Sequence, residues 1–507
     1  MRIKLLFSIL LFFIFTTSVF AEDGLRTLFL NNKAVICGIN IRNFNAKDLN
    51  DNGLIDENEE SGTFINAIER LDEIAEAGIN VLHILPITPV GKLKALGTAG
   101  SLYAISDFAS INPQLVDMNS QLTPMEQAKL FIDECHKRNI KVIIDLPSCG
   151  AYDLFLSRPE LFIKDKKQLS IVPTDWTDVR LLNTGNDTKL NEDLILEHKK
   201  FVDMLLSIGA DGIRADVATI KPFKFWVEII DYTREKAPEF LFLAEASDSW
   251  REPPSKYAEF TPYDKLLEAG FDGYYGSFFN LKDWKKSEEF YNHIKFNKKL
   301  LTSYADDKSV ILSFTTHDEV SPVVLFGEKY SVLIAWLEAT LPYNPYFIDG
   351  FQYGDTYLYN WANTKASFTE TDDDYYFVHR GKFDIFNYSS KPKGESKLIK
   401  ENFKKAMDFR AGNINLITKG TFNVLKSDKD KVIAFSRTYK GETIVVIANL
   451  DHKHSQKRIS VKVSGVKKKG NLKLIQGGLN YKTRNGKVLT DLEPSEIKVL
   501  RLYNFSL

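Results

Sequence analysis

The chain has few cysteines and almost no net charge. Its 507 residues include three cysteines, Cys37, Cys135 and Cys149, which fit neither a disulfide framework nor a zinc motif. Cys37 and Cys149 fall at predicted strand ends, where they could approach each other, but buried free thiols are the simpler expectation. With 66 basic and 67 acidic residues, the formal net charge of −1 gives no indication of nucleic acid or an anionic membrane as partner.

Long apolar runs are lacking after the N-terminus. The chain opens with the basic segment Met1–Lys4, continues with apolar residues to about Phe15, and reaches a small-residue cleavage site at Val19–Ala21. This pattern predicts a signal peptide over residues 1–21 and therefore a secreted or periplasmic protein, with no membrane attachment after cleavage. An uncleaved membrane anchor is the alternative.

Internal repeats and low-complexity tracts are also lacking, so the length must be explained by large domains. Strand and helix patterns alternate eight times between about residues 35 and 408, which predicts a (β/α)8 barrel over residues 22–408. Residues 147–190 show few periodic signals and are interpreted as a short irregular insertion after the third strand. From Ile414, short β-rich runs alternate with Lys/Gly turns, and residues 409–507 are predicted to form an all-β sandwich.

Three predicted strands end on acids. The segment Gly212–Asp216 places Arg214 two residues before Asp216, so both side chains share one face and an ion pair would aim the carboxylate. The segments Phe240–Glu245 and Val310–Asp318 are also apolar strands that end on acids. In a parallel barrel these ends meet at one mouth, and paired carboxylates there suit glycosidic bond cleavage. Taken alone, the first segment could equally hold a structural ion pair.

The order and spacing of Gly212–Asp216, Glu245 and His317-Asp318 resemble the α-amylase superfamily, glycoside hydrolase family 13. The resemblance covers roughly residues 35 to 500. It implies a retaining enzyme that acts on α-glucan oligo- or polysaccharides through a covalent intermediate.

By this resemblance, Asp216 is the nucleophile, Glu245 the acid and base, and Asp318 a partner of sugar hydroxyls beside His317. Tyr103 resembles a residue that stacks on the sugar, although an ordinary core tyrosine is the alternative. The predicted catalytic residues are Asp216, Glu245 and Asp318. The predicted substrate-binding residues are Arg214, His317, Tyr103 and Asp145.

The third strand departs from the family pattern after Asp145. The family continues with Asn and His, whereas this chain has Cys149 and Gly150. In the family the Asn helps to hold a structural calcium and the His contacts the sugar, so both roles are in doubt here.

Oxygen-bearing residues recur at every second position from residue 48, with Gly53 where the loop must turn. This pattern predicts a calcium loop, and several members of the resembled family have a similar loop after the first strand. A solvated Asn/Asp-rich turn is the alternative. The predicted calcium ligands are Asp48, Asn50, Asn52, the carbonyl of Leu54, and Asp56.

Two alternatives to hydrolysis remain open. Residues Lys221–Trp226 resemble the K-P-x-x-F-W segment of the family's maltosyltransferases, in which a sugar replaces water as acceptor. A non-catalytic carbohydrate-binding relic is the second alternative. The family's histidine after Asp145 and the histidine that many members have after the Asp216 segment are both missing here, which favours it, and the retained carboxylates argue against it.

Overall fold

The structure is a computed structural model that describes residues 23–47, 49, 58–95, 100–173, 176, 178–253, 255–304, 307–356, 396–463 and 471–503. The predicted signal peptide therefore lies outside the described residues. Within the described ranges, none of the helices has the length and apolar character needed to cross a membrane.

Eight parallel strands close into a barrel, as predicted. The strands are β1 (Ile36–Ile39), β2 (Val81–Ile84), β3 (Lys141–Leu146), β4 (Gly212–Ala215), β5 (Leu241–Ala244), β6 (Gly273–Tyr275), β7 (Ser309–Leu312) and β8 (Asn344–Ile348). Pairing of β1 with both β2 and β8 completes the ring. The strands are apolar and buried almost throughout, because helices cover the outside and side chains fill the inside.

Helices follow the barrel strands and form the outer layer. Thr123 caps one of them in a reciprocal capping box with Glu126, with Pro124 at the first helical position. The layer consists of Phe64–Ala67 with Leu71–Glu76, Pro124–His136, Glu192–Ile208, Phe223–Lys236, Tyr263–Glu268, Ser287–Thr302, Glu328–Thr340 and Lys397–Gly412. Further short helices are Leu25–Leu30, Ile41–Phe44, Tyr152–Ser157, Pro322–Phe326 and Ile414–Lys419.

A small subdomain interrupts the barrel after β3, where the sequence predicts the insertion. Strands Cys149–Ala151 and Val179–Leu181 pair antiparallel, and the helix Tyr152–Ser157 lies between them in the sequence. A second short hairpin joins Gly185–Asn186 to Lys189–Leu190. Apolar side chains of the first hairpin pack with residues that follow β4, so the insertion rests on the barrel mouth.

The C-terminal domain is one antiparallel sheet of eight strands that folds over a common core. Residues from strands at both ends of the sheet, such as Val432 and Ile459, belong to the same apolar cluster. In chain order the strands are β9 (Thr421–Val424), β10 (Val432–Tyr439), β11 (Glu442–Asn449), β12 (Gln456–Lys462), β13 (Asn471–Leu474), β14 (Asn480–Arg484), β15 (Lys487–Leu492) and β16 (Ile497–Tyr503). In the sheet they run β9-β10-β11-β16-β13-β14-β15-β12.

The first strand of this domain, β9, begins after the predicted domain start at residue 409. Residue 409 lies within the helix Lys397–Gly412, and Ile414–Lys419 is helical as well. Leu416 and Ile417 of this second helix are buried. Arg437 of β10 donates to the carbonyl oxygen of Ile417 and so holds this helix against the sheet.

All three cysteines are free and buried, as expected. Cys37 lies in β1, Cys135 in the helix Pro124–His136, and Cys149 at the start of the insertion. Burial raises the pKa of the Cys37 and Cys135 thiols, which makes both of them poor nucleophiles.

Arg410 fastens the last helix of the barrel to the barrel floor. Its Nη1 donates to the carbonyl oxygens of Glu338 (3.1 Å) and Leu341 (2.9 Å), and its Nη2 to those of Asn32 (2.9 Å) and Tyr343 (2.6 Å). The side chain is 1% exposed. One guanidinium therefore satisfies three buried carbonyl groups, at Glu338, Leu341 and Tyr343, and a partly buried one at Asn32.

Replacing Arg410 by Met should lower the free energy of unfolding by about 3 kcal/mol or more, because several buried carbonyls lose their donor. Denaturant unfolding measures the change. Lys405→Met, at an exposed position of the same helix, should stay within about 0.5 kcal/mol of wild type. Equal losses in the two variants would contradict this role of Arg410.

Candidate active site

Arg214 of β4 lies at the centre of the mouth and is fully buried. Its Nη1 donates to Asp145 Oδ1 (2.9 Å) and Oδ2 (3.0 Å) and to Asp216 Oδ1 (3.2 Å). Its Nε donates to the hydroxyl of Tyr275 at 3.1 Å. Its Nη2 lies 2.7 Å from Glu245 Oε1, an ionic contact whose angle is unfavourable for a hydrogen bond. One guanidinium thus contacts three carboxyl groups from neighbouring strands. Asp145 lies at the end of β3, and Asp216 and Glu245 follow β4 and β5.

The charge of Arg214 is secured by these neighbours. Burial alone would lower the pKa of Arg214, but the carboxylates of Asp145 and Glu245 raise it well above its usual value. For Asp145, burial alone would raise the pKa, and Arg214 and His83 together lower it. Asp145 and Arg214 therefore form a permanently charged buried pair.

Asp216 is held from a second side by Ser148, which follows β3. The backbone N–H of Ser148 donates to Asp216 Oδ2 at 3.0 Å, and its Oγ donates to the same oxygen at 2.7 Å. With the contact from Arg214 to Oδ1, the carboxylate of Asp216 accepts three hydrogen bonds in a fixed orientation. Sequence reasoning missed Ser148, since no motif marks a serine at this position.

Glu245, which follows β5, has a pKa well above the ordinary value of a glutamate. Burial raises its pKa to about 8, with further contributions from Asp216 and Asp318, while Arg214 opposes the shift. Glu245 Oε2 accepts the backbone N–H of Val217 at 2.7 Å. A carboxyl group with this pKa holds its proton at neutral pH, as a general acid requires.

The backbone turns sharply after Asp216. Val217 has φ 35° and ψ 53°, in the left-handed region that β-branched residues rarely adopt. This conformation directs the Val217 N–H towards Glu245. Strain of this kind persists only where surrounding contacts enforce it, and it occurs often at functional sites.

Tyr103 and His83 complete the environment of Asp145. The Tyr103 hydroxyl donates to Asp145 Oδ2 at 2.9 Å and lies 2.8 Å from His317 Nε2. His83 Nε2 lies 3.3 Å from Asp145 Oδ2, and His83 Nδ1 lies 2.8 Å from the hydroxyl of Tyr346. His83 lies within the buried strand β2, as a core histidine would. It is fully buried, but it also belongs to the network at the mouth.

His317 and Asp318 occupy the far side of the mouth. The rings of His317 and Tyr103 are parallel within 3°, with centroids 6.0 Å apart. Burial lowers the pKa of His317 to about 4, so its imidazole is neutral at neutral pH. Asp318 Oδ2 lies 3.7 Å from His317 Nε2, and the Asp318 side chain is 40% exposed. Asp318 is therefore the acid of this group that solvent or a ligand reaches most easily.

The structure brings all seven residues predicted at the mouth into one connected network. These residues are Tyr103, Asp145, Arg214, Asp216, Glu245, His317 and Asp318. Their individual roles stay predictions. Besides Ser148, sequence reasoning did not identify Tyr275 and Tyr346, two strand aromatics whose hydroxyl groups reach the same network.

The insertion forms one wall of the pocket that holds Asp216. Trp176 and Val179 of the insertion line this pocket together with Tyr103, Ser148 and Val217. On the other side of Ser148, a cavity of about 250 Å3 lies between the insertion and the loop that follows β5. Asn183, Asn186 and Tyr257 are among the residues that line it.

The predicted calcium ligands Asp48, Asn50, Asn52, Leu54 and Asp56 lie outside the described residues. Near the two ends of the loop, the backbone N–H of Leu49 donates to Glu59 Oε1 at 2.6 Å, and Lys47 pairs with Glu60 in an antiparallel bridge. Across the described ranges, no group of three or more His, Cys, Asp or Glu residues could hold a metal ion. Calcium binding by this loop stays a prediction.

Comparison with known proteins gives matches to both parts of the chain. Residues 422–498 match the family model described as "Maltogenic Amylase, C-terminal domain". Alpha-amylase 3 of Dictyoglomus thermophilum is 23% identical over 440 residues, which cover 77% of this chain and 81% of that protein. An alpha-1,4-glucan:maltose-1-phosphate maltosyltransferase of Bifidobacterium animalis is 26% identical over 211 residues, 39% of this chain. That match spans only 28% of the length of the transferase.

Solved structures share the fold at low sequence identity. An alpha-amylase from Lactobacillus plantarum has a TM-score of 0.69 and 20% identity, covering 94% of this chain and 99% of that chain. A maltogenic alpha-amylase from Thermotoga neapolitana has a TM-score of 0.68 and 18% identity, covering 94% of this chain and 100% of that one.

The fold and the site define a (β/α)8 barrel protein with acids from neighbouring strands gathered on one arginine. The matched C-terminal domain and the similar alpha-amylase agree with the resemblance of this chain to the α-amylase superfamily, glycoside hydrolase family 13.

Replacing Arg214 by Met should lower the free energy of unfolding by about 3–5 kcal/mol, because buried carboxyl groups lose their counter-charge. Adding Asp145→Asn should recover part of this loss, since it removes one of those charges. Urea unfolding of the two single variants and the double variant measures the coupling. Strictly additive changes would contradict the central role given to Arg214.

Proposed function

We propose that the chain is a retaining α-glucan-active glycoside hydrolase of the α-amylase type. The observation that carries the proposal is the shared contact of Asp216 and Glu245 with Arg214, in a setting that keeps a proton on Glu245. Attack by one acid and protonation by the other is the chemistry of retaining glycosidases. The similar amylases and maltosyltransferases support an α-1,4-glucan as substrate.

In the first step, Asp216 attacks the anomeric carbon and forms the glycosyl ester. The bond from that carbon to the leaving oxygen breaks as Glu245 transfers its proton to this oxygen. Arg214 and Ser148 hold the carboxylate of Asp216 in place for the attack. Asp318, exposed at the rim beside His317, would accept hydrogen bonds from sugar hydroxyls.

In the second step, Glu245 takes a proton from water, and the water oxygen replaces Asp216 at the anomeric carbon. Nearby Arg214 favours the deprotonated form of Glu245 that this step needs, while burial favours the protonated form that the first step needs. Glu245 can therefore act as an acid in the first step and as a base in the second.

Transfer to a sugar acceptor is the second candidate function. The segment Lys221–Trp226 resembles the K-P-x-x-F-W segment of maltosyltransferases, and the family's Asn and His after Asp145 are replaced by Cys149 and Gly150. Such an enzyme would form the same glycosyl ester on Asp216 and pass the sugar to the end of another glucan.

Incubation with maltooligosaccharides, with and without maltose 1-phosphate, should separate these functions. Hydrolysis releases reducing sugars, whereas transfer yields lengthened chains and, from the phosphorylated donor, inorganic phosphate. Asp216→Asn should reduce either activity by about a thousandfold or more, while Asp193→Asn, at an exposed helix position, should retain it. If wild type and Asp216→Asn were equally inert on a broad α-glucan panel, the non-catalytic reading would stand.

The pH dependence should report the proton on Glu245. Because the pKa of Glu245 is raised to about 8, the acid is present below this pH and is lost as the pH rises through it. The ratio kcat/KM for a glucan should therefore fall about tenfold per pH unit above pH 8. With α-maltosyl fluoride, whose leaving group needs no proton, this alkaline decline should be absent, and persistence of the same decline would contradict the assignment of Glu245.

Two further features are proposed from the sequence. The loop that begins at Asp48 would bind a structural calcium ion, and the N-terminal segment would direct secretion or export to the periplasm. Both proposals are independent of the chemistry at the mouth.

A further inference from the structure

Lys221 is a buried cation close to the mouth that the proposed mechanism does not use. Its side chain is 1% exposed, and its Nζ lies 5.8 Å from the ring centroid of Trp226. Within the described part of the chain it forms no salt bridge, and Nζ donates to the carbonyl oxygen of Ser148 at 3.1 Å. A lysine buried in this way costs free energy, which suggests a function for the contact it makes.

Burial also changes the acidity of this lysine. It lowers the pKa of Lys221 to about 8, and nearby Cys149 and Asp216 oppose the shift. The ammonium form therefore still predominates at neutral pH. Its positive charge is close enough to Asp216 to be stabilised by it.

Ser148 connects Lys221 with Asp216. Its carbonyl oxygen accepts the bond from Lys221, while its N–H and Oγ both donate to Asp216 Oδ2. Ser148 is 2% exposed, so water does not compete for these bonds. The contact from Lys221 fixes the orientation of the Ser148 carbonyl group. It thereby also fixes the directions of the Ser148 N–H and Oγ, which donate to Asp216.

The bonding pattern distinguishes the two oxygens of Asp216. Oδ2 accepts two hydrogen bonds from Ser148, which use both of its lone pairs. Oδ1 accepts one hydrogen bond, from Arg214, and keeps a lone pair for the anomeric carbon. In the glycosyl ester, Oδ1 would form the new bond to the sugar, and Oδ2 would become the ester carbonyl oxygen.

We propose that Ser148 and Lys221 act as one unit that positions Asp216 and stabilises it as the departing carboxylate, an inference that rests on the proposed function. When the ester breaks, the bond from the anomeric carbon to Oδ1 opens and its electron pair returns to Asp216. The developing negative charge is shared with Oδ2, where the two hydrogen bonds from Ser148 strengthen. Ser148 and Lys221 are thus positioning residues for the second step above all.

The test uses α-maltosyl fluoride as substrate. Its fluoride leaves without a proton, so the first step is fast and breakdown of the glycosyl ester limits kcat. Ser148→Ala should lower kcat by about tenfold to a hundredfold, the loss expected for one hydrogen bond to a charged group. KM should fall as well, because the glycosyl ester accumulates. Intact-protein mass spectrometry after rapid quenching should show a maltosyl adduct that is scarce in wild type.

Lys221→Met should give the same pattern of kcat, KM and adduct. The double variant should be no slower than the slower single variant, because the two residues act through one contact. Lys221→Gln, which keeps an N–H donor, should recover part of kcat. Lys224→Met, at an exposed position of the following helix, should match wild type. Thermal unfolding midpoints should stay close to that of wild type, because Met replaces a buried charge by an apolar group of similar size.

Wild-type kcat in Ser148→Ala, or losses that multiply in the double variant, would overturn this inference and leave the proposed function standing. Slow variants that show no maltosyl adduct would also overturn this inference and leave the proposed function standing. A wild-type chain that turns over neither α-maltosyl fluoride nor any α-glucan would instead overturn the proposed function itself.

Discussion

The structure of the mouth depends on one guanidinium that faces three carboxyl groups. The register of the barrel places Asp145 of β3 directly beside Arg214 of β4. Asp216 and Glu245 follow the ends of β4 and β5, where they meet the same side chain. One positive charge cannot neutralise three buried acids, so retention of one proton is favourable. Glu245 keeps this proton, as its pKa of about 8 indicates.

Much of this arrangement could be predicted from the sequence, because its signals are local. The strands are apolar runs, three of which were seen to end on acids, and period-two alternation puts Arg214 and Asp216 on one face. Parallel strands in a barrel then bring their carboxyl ends together whatever loops connect them. The eight strands and their acids therefore follow from patterns that span fewer than ten residues each.

The contacts that sequence reasoning missed cross between strands and depend on exact register. Ser148 follows Asp145 by three residues, yet its function in the structure is to hold Asp216 on the next strand. His83 looks like a core residue because it is one, and its contact with Asp145 appears only when β2 and β3 pair. A long-range hydrogen bond from Arg437 to the carbonyl oxygen of Ile417 holds the helix Ile414–Lys419 against the sheet, and this contact also has no local sequence signal.

The left-handed turn at Val217 has a consequence for how such a site can change over time. Val217 is covalently joined to Asp216, and its N–H is bonded to Glu245. The distance between Asp216 and Glu245 is therefore fixed by the single peptide unit that joins Asp216 to Val217. The insertion and the loops at the rim can be exchanged or lengthened around this short bridge. Such a chain can change the loops around its mouth while the spacing of Asp216 and Glu245 stays the same.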